Sequence, residues 1–178
     1  MSDTGWVSPG TMADDDTVGT RAWDDPDNAK VSDGSYATLG YETYVSHYLK
    51  ATNFGFSIPV GATINGIEVG IEKRHAYVDT ITDEYVKIIK SNGDIGSENK
   101  ADTSTSWTGD ADVYINYGDS TDLWSETWAY TDINDLDFGV VLSADVVSSI
   151  AWVDHIRIKV YYTESGVTSA PFPMFFRP

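Results

Sequence analysis

The chain of 178 residues is long enough for one domain with a sizeable core, since 41% of its residues are hydrophobic and 13% are aromatic. Its 28 acidic and 11 basic residues give a formal net charge of −17, which argues against nucleic acid and anionic membranes as partners. It contains no cysteine, which excludes disulfide bonds, thiolate metal sites and a cysteine nucleophile. Because it has no long apolar run and no secretion signal in residues 1–16, we expect cytoplasmic synthesis and no membrane span.

The N-terminal residues 1–20 consist mostly of Gly, Ser, Thr and Asp, a composition that predicts an extended arm. Trp6 is the exception, and a lone aromatic in a polar arm either anchors it in a neighbouring subunit or packs back on its own domain. Residues 23–36 are rich in Asp, Asn, Pro, Ser and Gly, and Asp33-Gly34 predicts a turn within this loop.

Period-2 patterns give the clearest strand predictions, at residues 67–72 and 155–162, where apolar side chains alternate with charged or small ones. Each pattern predicts a strand with one buried face and one face in water. Residues 144–152 come nearest to helical spacing and fit one short helical turn. Asn92-Gly93 predicts a tight hairpin turn that leads to a short strand near Ile95. Aromatic and β-branched composition predicts further strands at residues 41–49, 53–58, 84–89, 111–117 and 138–144.

Short strands separated by turns predict an all-β fold, a single antiparallel, jelly-roll-like β-sandwich over residues 21–163. Extended arms over residues 1–20 and 164–178 would flank it. Three prolines in the C-terminal arm oppose helix and central strand, and its apolar side chains are costly to leave in water. They therefore need a pocket on the same domain or, as we prefer, on a neighbouring subunit. The candidate partner-binding residues are Trp6, Phe172, Met174, Phe175 and Phe176.

The sequence lacks a constellation for catalysis, and we predict that the protein is not an enzyme and needs no cofactor. The three histidines, His47, His75 and His155, lie on different predicted strands or strand ends, and none has a second His or a carboxylate at metal-ligand spacing. His155 is expected on an exposed strand face. No Gly-x-Ser-x-Gly elbow, P-loop or Gly-x-Gly-x-x-Gly motif is present.

The densest set of candidate calcium ligands lies in residues 132–137 and comprises Asp132, Asn134, Asp135 and Asp137. It fails the EF-hand pattern, which requires a central Gly and a distal Glu between two helices. Local turns in which the side chains bond their own backbone are the favoured interpretation, and a loop calcium site is the weaker alternative.

Aromatic residues are abundant, with 6 Trp and 11 Tyr, and aromatic rings can stack on sugar faces. The pairs Trp124 with Trp128 and Tyr161 with Tyr162 are candidates for such a platform. Packing in the core or at a protein interface is the favoured interpretation, because aromatic residues dominate both. A glycan is the alternative ligand.

The strand and turn motifs together resemble β-sandwich structural proteins encoded in tailed-phage and prophage morphogenesis regions. The resemblance spans about residues 20–163 and excludes both arms. The motifs that carry it are residues 23–28, 33–37, 54–59, 64–69, Leu123-Trp124, Trp128, 138–140 and 154–162.

This resemblance implies a non-enzymatic virion protein, made in the host cytoplasm, that decorates or cements a capsid or forms part of a tail or fibre. Its partners would be virion proteins, such as the major capsid or a tail protein, and other copies of itself. An acidic domain with an arm at each end could hold neighbouring capsomers together without catalysis, and repetition on the lattice would add avidity. A carbohydrate-binding, adhesin-like sandwich is the alternative.

Overall fold

A computed structural model describes residues 1–76, 80–109 and 111–165. In this part of the chain the only helices are a 3-10 turn at Pro26–Ala29 and the single-turn α1 at Tyr130–Ile133, and no helix is long and apolar enough to span a membrane. The strands are β1 (Ser2–Asp3), β2 (Thr11–Asp15), β3 (Ala37–Val45), β4 (Tyr48–Thr52), β5 (Thr63–Ala76), β6 (Ile81–Ile89), β7 (Val113–Gly118) and β8 (Gly139–Thr163). The all-β prediction is confirmed.

Strand β8 organises the fold because its 25 residues run through both halves of the sheet. Its first part pairs with β4 on one edge and β6 on the other, so that Leu142 lies between Leu49 and Val86. Its second part pairs with β3 and then the N-terminal residues on one edge, and with β5 on the other. Strand β2 extends the first half beyond β4, and β7 extends the second half beyond β5. All these pairings are antiparallel.

A single main core joins the two halves into a sandwich. Alternate residues of β8, such as Leu142 in the first half and Ile158 in the second, point into it and are fully buried. The ring of Phe138 lies edge-on to Trp128, 5.4 Å between centroids, and to Phe56, 5.9 Å between centroids. Each such buried side chain contributes about 1.5–3 kcal/mol relative to exposure. The period-2 patterns correctly predicted the inward faces of β5 and β8.

The structure corrects the prediction of an N-terminal arm. Within residues 1–20, β1 pairs with β8 and β2 pairs with β4, so this segment belongs to the sheet. The polar composition suggested an arm because β1 and β2 are short strands at sheet edges, where only alternate side chains pack into the core. Met12, for example, is buried between exposed Thr11 and half-buried Ala13.

Two predicted elements are also wrong. Residues 53–58 form no strand, because Asn53 and Gly55 take positive φ values of 57° and 67° and break the extended backbone. Residues 144–152 are strand rather than helix. There, Ser148 has a φ of 46°, and this local distortion interrupts the simple alternation of β8.

Both predicted turns are confirmed. Gly93 takes a φ of 82°, and the Lys90 amide donates to the carbonyl oxygen of Asp94 at 2.9 Å, which brings Ile95 opposite Ile89. Gly34 takes a φ of 81°, and its amide donates to the carboxylate of Asp154 at 3.2 Å. The second turn is therefore attached to β8.

Candidate partner-binding face

The outer face of β5, β7 and the second part of β8 carries a group of aromatic and charged side chains that we call the Trp6 face. The N-terminal segment places Trp6 on it, because β1 pairs with the end of β8 and the Val7 amide donates to the carbonyl oxygen of Ile158 at 2.8 Å. Trp6 is partly exposed. The Trp6 face comprises Trp6, Glu68, Tyr114, Asn116, Arg157, Lys159 and Tyr161.

Cations and rings alternate across this face. The Arg157 guanidinium carbon lies 4.2 Å from the ring centroid of Trp6 and 3.5 Å from that of Tyr114. The Lys159 ammonium lies 4.3 Å from the Trp6 ring and 5.5 Å from the Tyr161 ring. Two cations thus hold one indole by cation–π attraction, which is strongest for Trp.

Glu68 supplies the negative charge of the Trp6 face. Its carboxylate accepts hydrogen bonds from Tyr161 at 2.8 Å and from Asn116 at 2.9 Å, and it lies 3.4 Å from the Lys159 ammonium. The hydrogen bond to Glu68 and burial raise the pKa of Tyr161. Burial lowers the pKa of Lys159, but the hydrogen bond to Tyr161 and the charge of Glu68 outweigh it, so the net shift is upward.

A glycine makes room for the Trp6 face at its centre. A Cβ on Gly70 would lie 2.9 Å from Nε of Arg157 and 3.2 Å from Oδ1 of Asn116, so any side chain there would displace both. The sequence pattern of β5 predicted that Gly70 lies on the solvent-facing side of the strand, but it did not indicate that Gly70 leaves space for Arg157 and Asn116.

His155 and Asp154 lie beside the Trp6 face and correct a prediction. His155 lies on the outer face of β8 as predicted, but it is only 9% exposed, because it is hydrogen-bonded to the Ser8 hydroxyl at 2.8 Å and the Tyr114 hydroxyl at 2.7 Å. Burial and the charge of Arg157 lower its pKa. Asp154 is the extra residue at a register shift between β5 and β8, and burial raises its pKa.

A second cluster, the Lys73 cluster, lies on the inner side of the sheet and comprises Lys73 on β5, Tyr117 on β7, Asp83 on β6 and Trp107 in the loop between β6 and β7. The Lys73 ammonium contacts the Asp83 carboxylate and the Tyr117 hydroxyl. Trp107 Nε1 and the Tyr117 hydroxyl donate to Asp83 at 2.8 Å and 2.7 Å. Burial lowers the pKa of Lys73, against the opposing effect of Asp83. Every charged or polar member therefore has partners within the cluster.

Sequence reasoning missed the Lys73 cluster, although one signal was present. In β5 the inward positions are Ile67, Val69 and Ile71, and the next position in that period is Lys73. A lysine that continues an apolar period indicates a buried charge, which requires a partner. The partner, Asp83, follows the inward residue Ile81 by two positions.

The predicted partner-binding residues are distributed between described and undescribed parts of the chain. Trp6 lies on the sheet of its own domain, and its contact with a partner stays a prediction. Phe172, Met174, Phe175 and Phe176 lie outside the described residues.

Three of the four candidate calcium ligands, Asp132, Asn134 and Asp135, bond nearby protein groups through their side chains. Asp132 accepts hydrogen bonds from the amide at the start of α1 and from a serine hydroxyl. Asn134 bonds both the amide and the carbonyl oxygen of Ile58, and Asp135 accepts from the amide of Asp137. In the described part of the chain, no three His, Cys, Asp or Glu side chains are grouped so as to hold a metal ion.

The aromatic pairs named from the sequence are mainly packed within the domain. Trp124 is 1% exposed and donates to the carbonyl oxygen of Ile67 at 3.0 Å, and Trp128 donates to that of Leu123 at 2.9 Å. Tyr162 packs against the core. Tyr161 alone of these four belongs to the Trp6 face.

No protein-family model and no curated protein matches the chain. Among solved structures, the CBM22-1 xylan-binding domain from Paenibacillus barcinonensis Xyn10C aligns over 90% of this chain and 88% of its own length, with 12% identity and a TM-score of 0.40. At that TM-score the similarity supports no inference about ligand or function.

Proposed function

We propose that this chain is a non-enzymatic structural protein of a phage particle, most simply a capsid decoration protein, which binds a neighbouring virion protein. One observation carries the proposal: Trp6, Tyr114, Tyr161 and Arg157 lie together on one outer sheet face. Trp, Tyr and Arg are the residues that contribute most binding energy at protein interfaces. The resemblance to tailed-phage structural proteins supports the choice of partner.

The charge of the Trp6 face differs from the charge of the whole chain. The formal net charge is −17, so neighbouring copies repel each other unless the contact is locally balanced. On the Trp6 face, Arg157 and Lys159 offset Glu68, which gives a local charge that does not oppose contact. An aromatic face without the chain's negative excess is therefore the part of the described surface best suited to a virion neighbour.

The test measures how many copies of the chain are present in purified phage particles assembled with the Trp6→Ala variant. We expect loss of most copies from the particle, measured by quantitative mass spectrometry against the major capsid protein. Tyr41→Ala is the matched control, because Tyr41 is an aromatic residue on β3 with 56% exposure and lies away from the Trp6 face. Circular dichroism would establish that both variants are folded. Full occupancy with Trp6→Ala, or absence of the wild-type chain from particles, would overturn the proposal.

Glycan binding is the second candidate, and it is favoured by the polar groups beside the rings. Glu68 and Asn116 carry the acceptor and donor groups that sugar hydroxyls need, next to the partly exposed ring of Tyr161. Isothermal titration of the purified chain with host-surface polysaccharides distinguishes the two functions. Binding that is lost in Tyr161→Ala, with particle occupancy unchanged, would favour the glycan.

A further inference from the structure

Strand β7 forms one end of the sheet and offers an unpaired edge. It pairs with β5 along one side, and within the described residues no strand pairs with its other side. Its side chains Val113 and Ile115 are 37% and 40% exposed. An exposed edge with apolar side chains is a template for the addition of another strand.

A pocket lies beside this edge. It has a volume of about 120 Å³, and Ile115, Trp107 and Tyr117 line it together with the loop that contains Asp102 and Thr105. The Lys73 cluster forms its base, and the charges there are already paired. The remaining surface fits an apolar side chain rather than an ion.

The C-terminal sequence has the pattern that such an edge would accept. Phe172, Met174 and Phe176 are spaced by two, so an extended chain presents them on one side and directs their amides to one edge. Pro171 and Pro173 fall on alternate positions, so their missing N–H groups would face solvent, where an edge strand tolerates proline. We propose that residues 171–177 of a second copy of this chain add to the free edge of β7 and place apolar side chains over Ile115 and the pocket.

The exit point of the chain favours a second copy over the same copy. The Ser165 hydroxyl donates to the carbonyl oxygen of Gly61, beside the start of β5. From there the chain would have to cross β5 and β7 and pass residues 119–124, which bond to Ile67. Phe172 is seven residues beyond Ser165, a reach of about 24 Å at most, whereas Ile115 lies opposite Ile71, eight residues or about 26 Å along β5 from Thr63. A neighbouring copy meets no such obstacle, and head-to-tail contacts of this kind build rings or chains.

This inference rests on the proposed function and adds to it the site that residues 171–177 of a neighbouring copy occupy. The test is sedimentation velocity of the full-length protein over a range of concentrations. We expect the wild type to associate, and both Ile115→Lys and the double variant Phe172→Ser with Phe176→Ser to be monomeric. An equimolar mixture of the two should form a one-to-one dimer, because each copy supplies the element that the other lacks.

Two controls make the result specific. Val147→Lys changes an apolar side chain on β8 with 43% exposure and should associate as the wild type does. Phe175→Ser should weaken association less than about tenfold, since the Phe175 side chain would point to the opposite face of the sheet from Ile115 and the pocket. A monomeric wild type, normal association of Ile115→Lys, or no dimer in the mixture would overturn the inference. None of these outcomes bears on the particle occupancy of Trp6→Ala, so the two proposals fail separately.

Discussion

The Lys73 cluster and the Trp6 face share three residue types and a carboxylate, in different environments. Each combines a lysine, a tryptophan, a tyrosine and a carboxylate: Lys73, Trp107, Tyr117 and Asp83 on the inner side, and Lys159, Trp6, Tyr161 and Glu68 on the outer side. The inner lysine and carboxylate are each 2% exposed, whereas the outer pair are 20% and 15% exposed.

Because of this difference in burial, the two groups of side chains have different roles. The inner charges have left water almost completely, so each depends on the other and on the hydroxyl and indole groups that saturate Asp83. The outer charges remain partly hydrated, and they hold Trp6 in position at little cost. The inner cluster therefore ties the loop at Trp107 to the sheet, and the outer one remains accessible to a partner.

The largest expected effect comes from breaking the inner pair. Lys73→Met leaves Asp83 buried without its cation, and removal of one member of a buried ion pair costs about 3–5 kcal/mol. Lys159→Met is the matched change on the outer side and should cost about 0–1 kcal/mol, because the pair there is partly solvated. The free energies of unfolding from urea titration would measure both. Equal costs would refute the distinction between the two sites.

The double variant Lys73→Met with Asp83→Asn sharpens the same comparison. Removing both charges should recover part of the stability lost in Lys73→Met, since no uncompensated charge is then buried. Trp107 and Tyr117 donate to different oxygens of Asp83, so the amide oxygen in Asp83→Asn can accept from Trp107, while the amide nitrogen can donate to the Tyr117 hydroxyl. A double variant less stable than the sum of its single changes would contradict this account.

Trp6→Ala should have an intermediate effect on stability. It removes two cation–π contacts, each worth about 0.5–1 kcal/mol at a partly exposed site, so we expect a loss of about 1–2 kcal/mol. Trp6→Phe retains an aromatic ring and should recover part of that loss. Urea titration measures the effect, and a loss as large as that of Lys73→Met would place Trp6 in the core rather than on the partner-binding face.

The parts of this fold that sequence predicted are those where one local pattern decides the outcome. The alternation in residues 67–72 and 155–162 correctly predicted buried and outer faces, because a strand with one face in a core must repeat every two residues. Asn92-Gly93 was sufficient for its hairpin, since Gly93 takes the positive φ that the turn needs.

The parts that sequence did not predict depend on distant partners. Residues 1–20 looked like an arm because their strand partners lie in β4 and at the end of β8, far along the chain. The Trp6 face combines β5, β7, β8 and the N-terminal segment, and only the register of these strands brings Trp6 to Arg157. His155 looked exposed because the covering residue, Ser8, belongs to the same misread segment.

The smallest expected effect concerns the pH dependence of the outer side. Burial and then the charge of Arg157 lower the pKa of His155 below the usual histidine value of about 6.5, against the opposing charge of Glu72. The unfolded chain therefore binds the proton more readily, so the stability that neutral His155 provides is complete above about pH 6.5 and declines as the pH falls below it, by at most about 1.4 kcal/mol per pH unit. His155→Gln retains groups that can bond Ser8 and Tyr114 but does not titrate, so its free energy of unfolding should fall less between about pH 7 and about pH 5. Identical declines in the two proteins would show that protonation of His155 does not loosen the N-terminal segment. A steeper decline in the wild type would connect protonation of His155 to loss of its hydrogen bonds with Ser8 and Tyr114, next to the segment that carries Trp6.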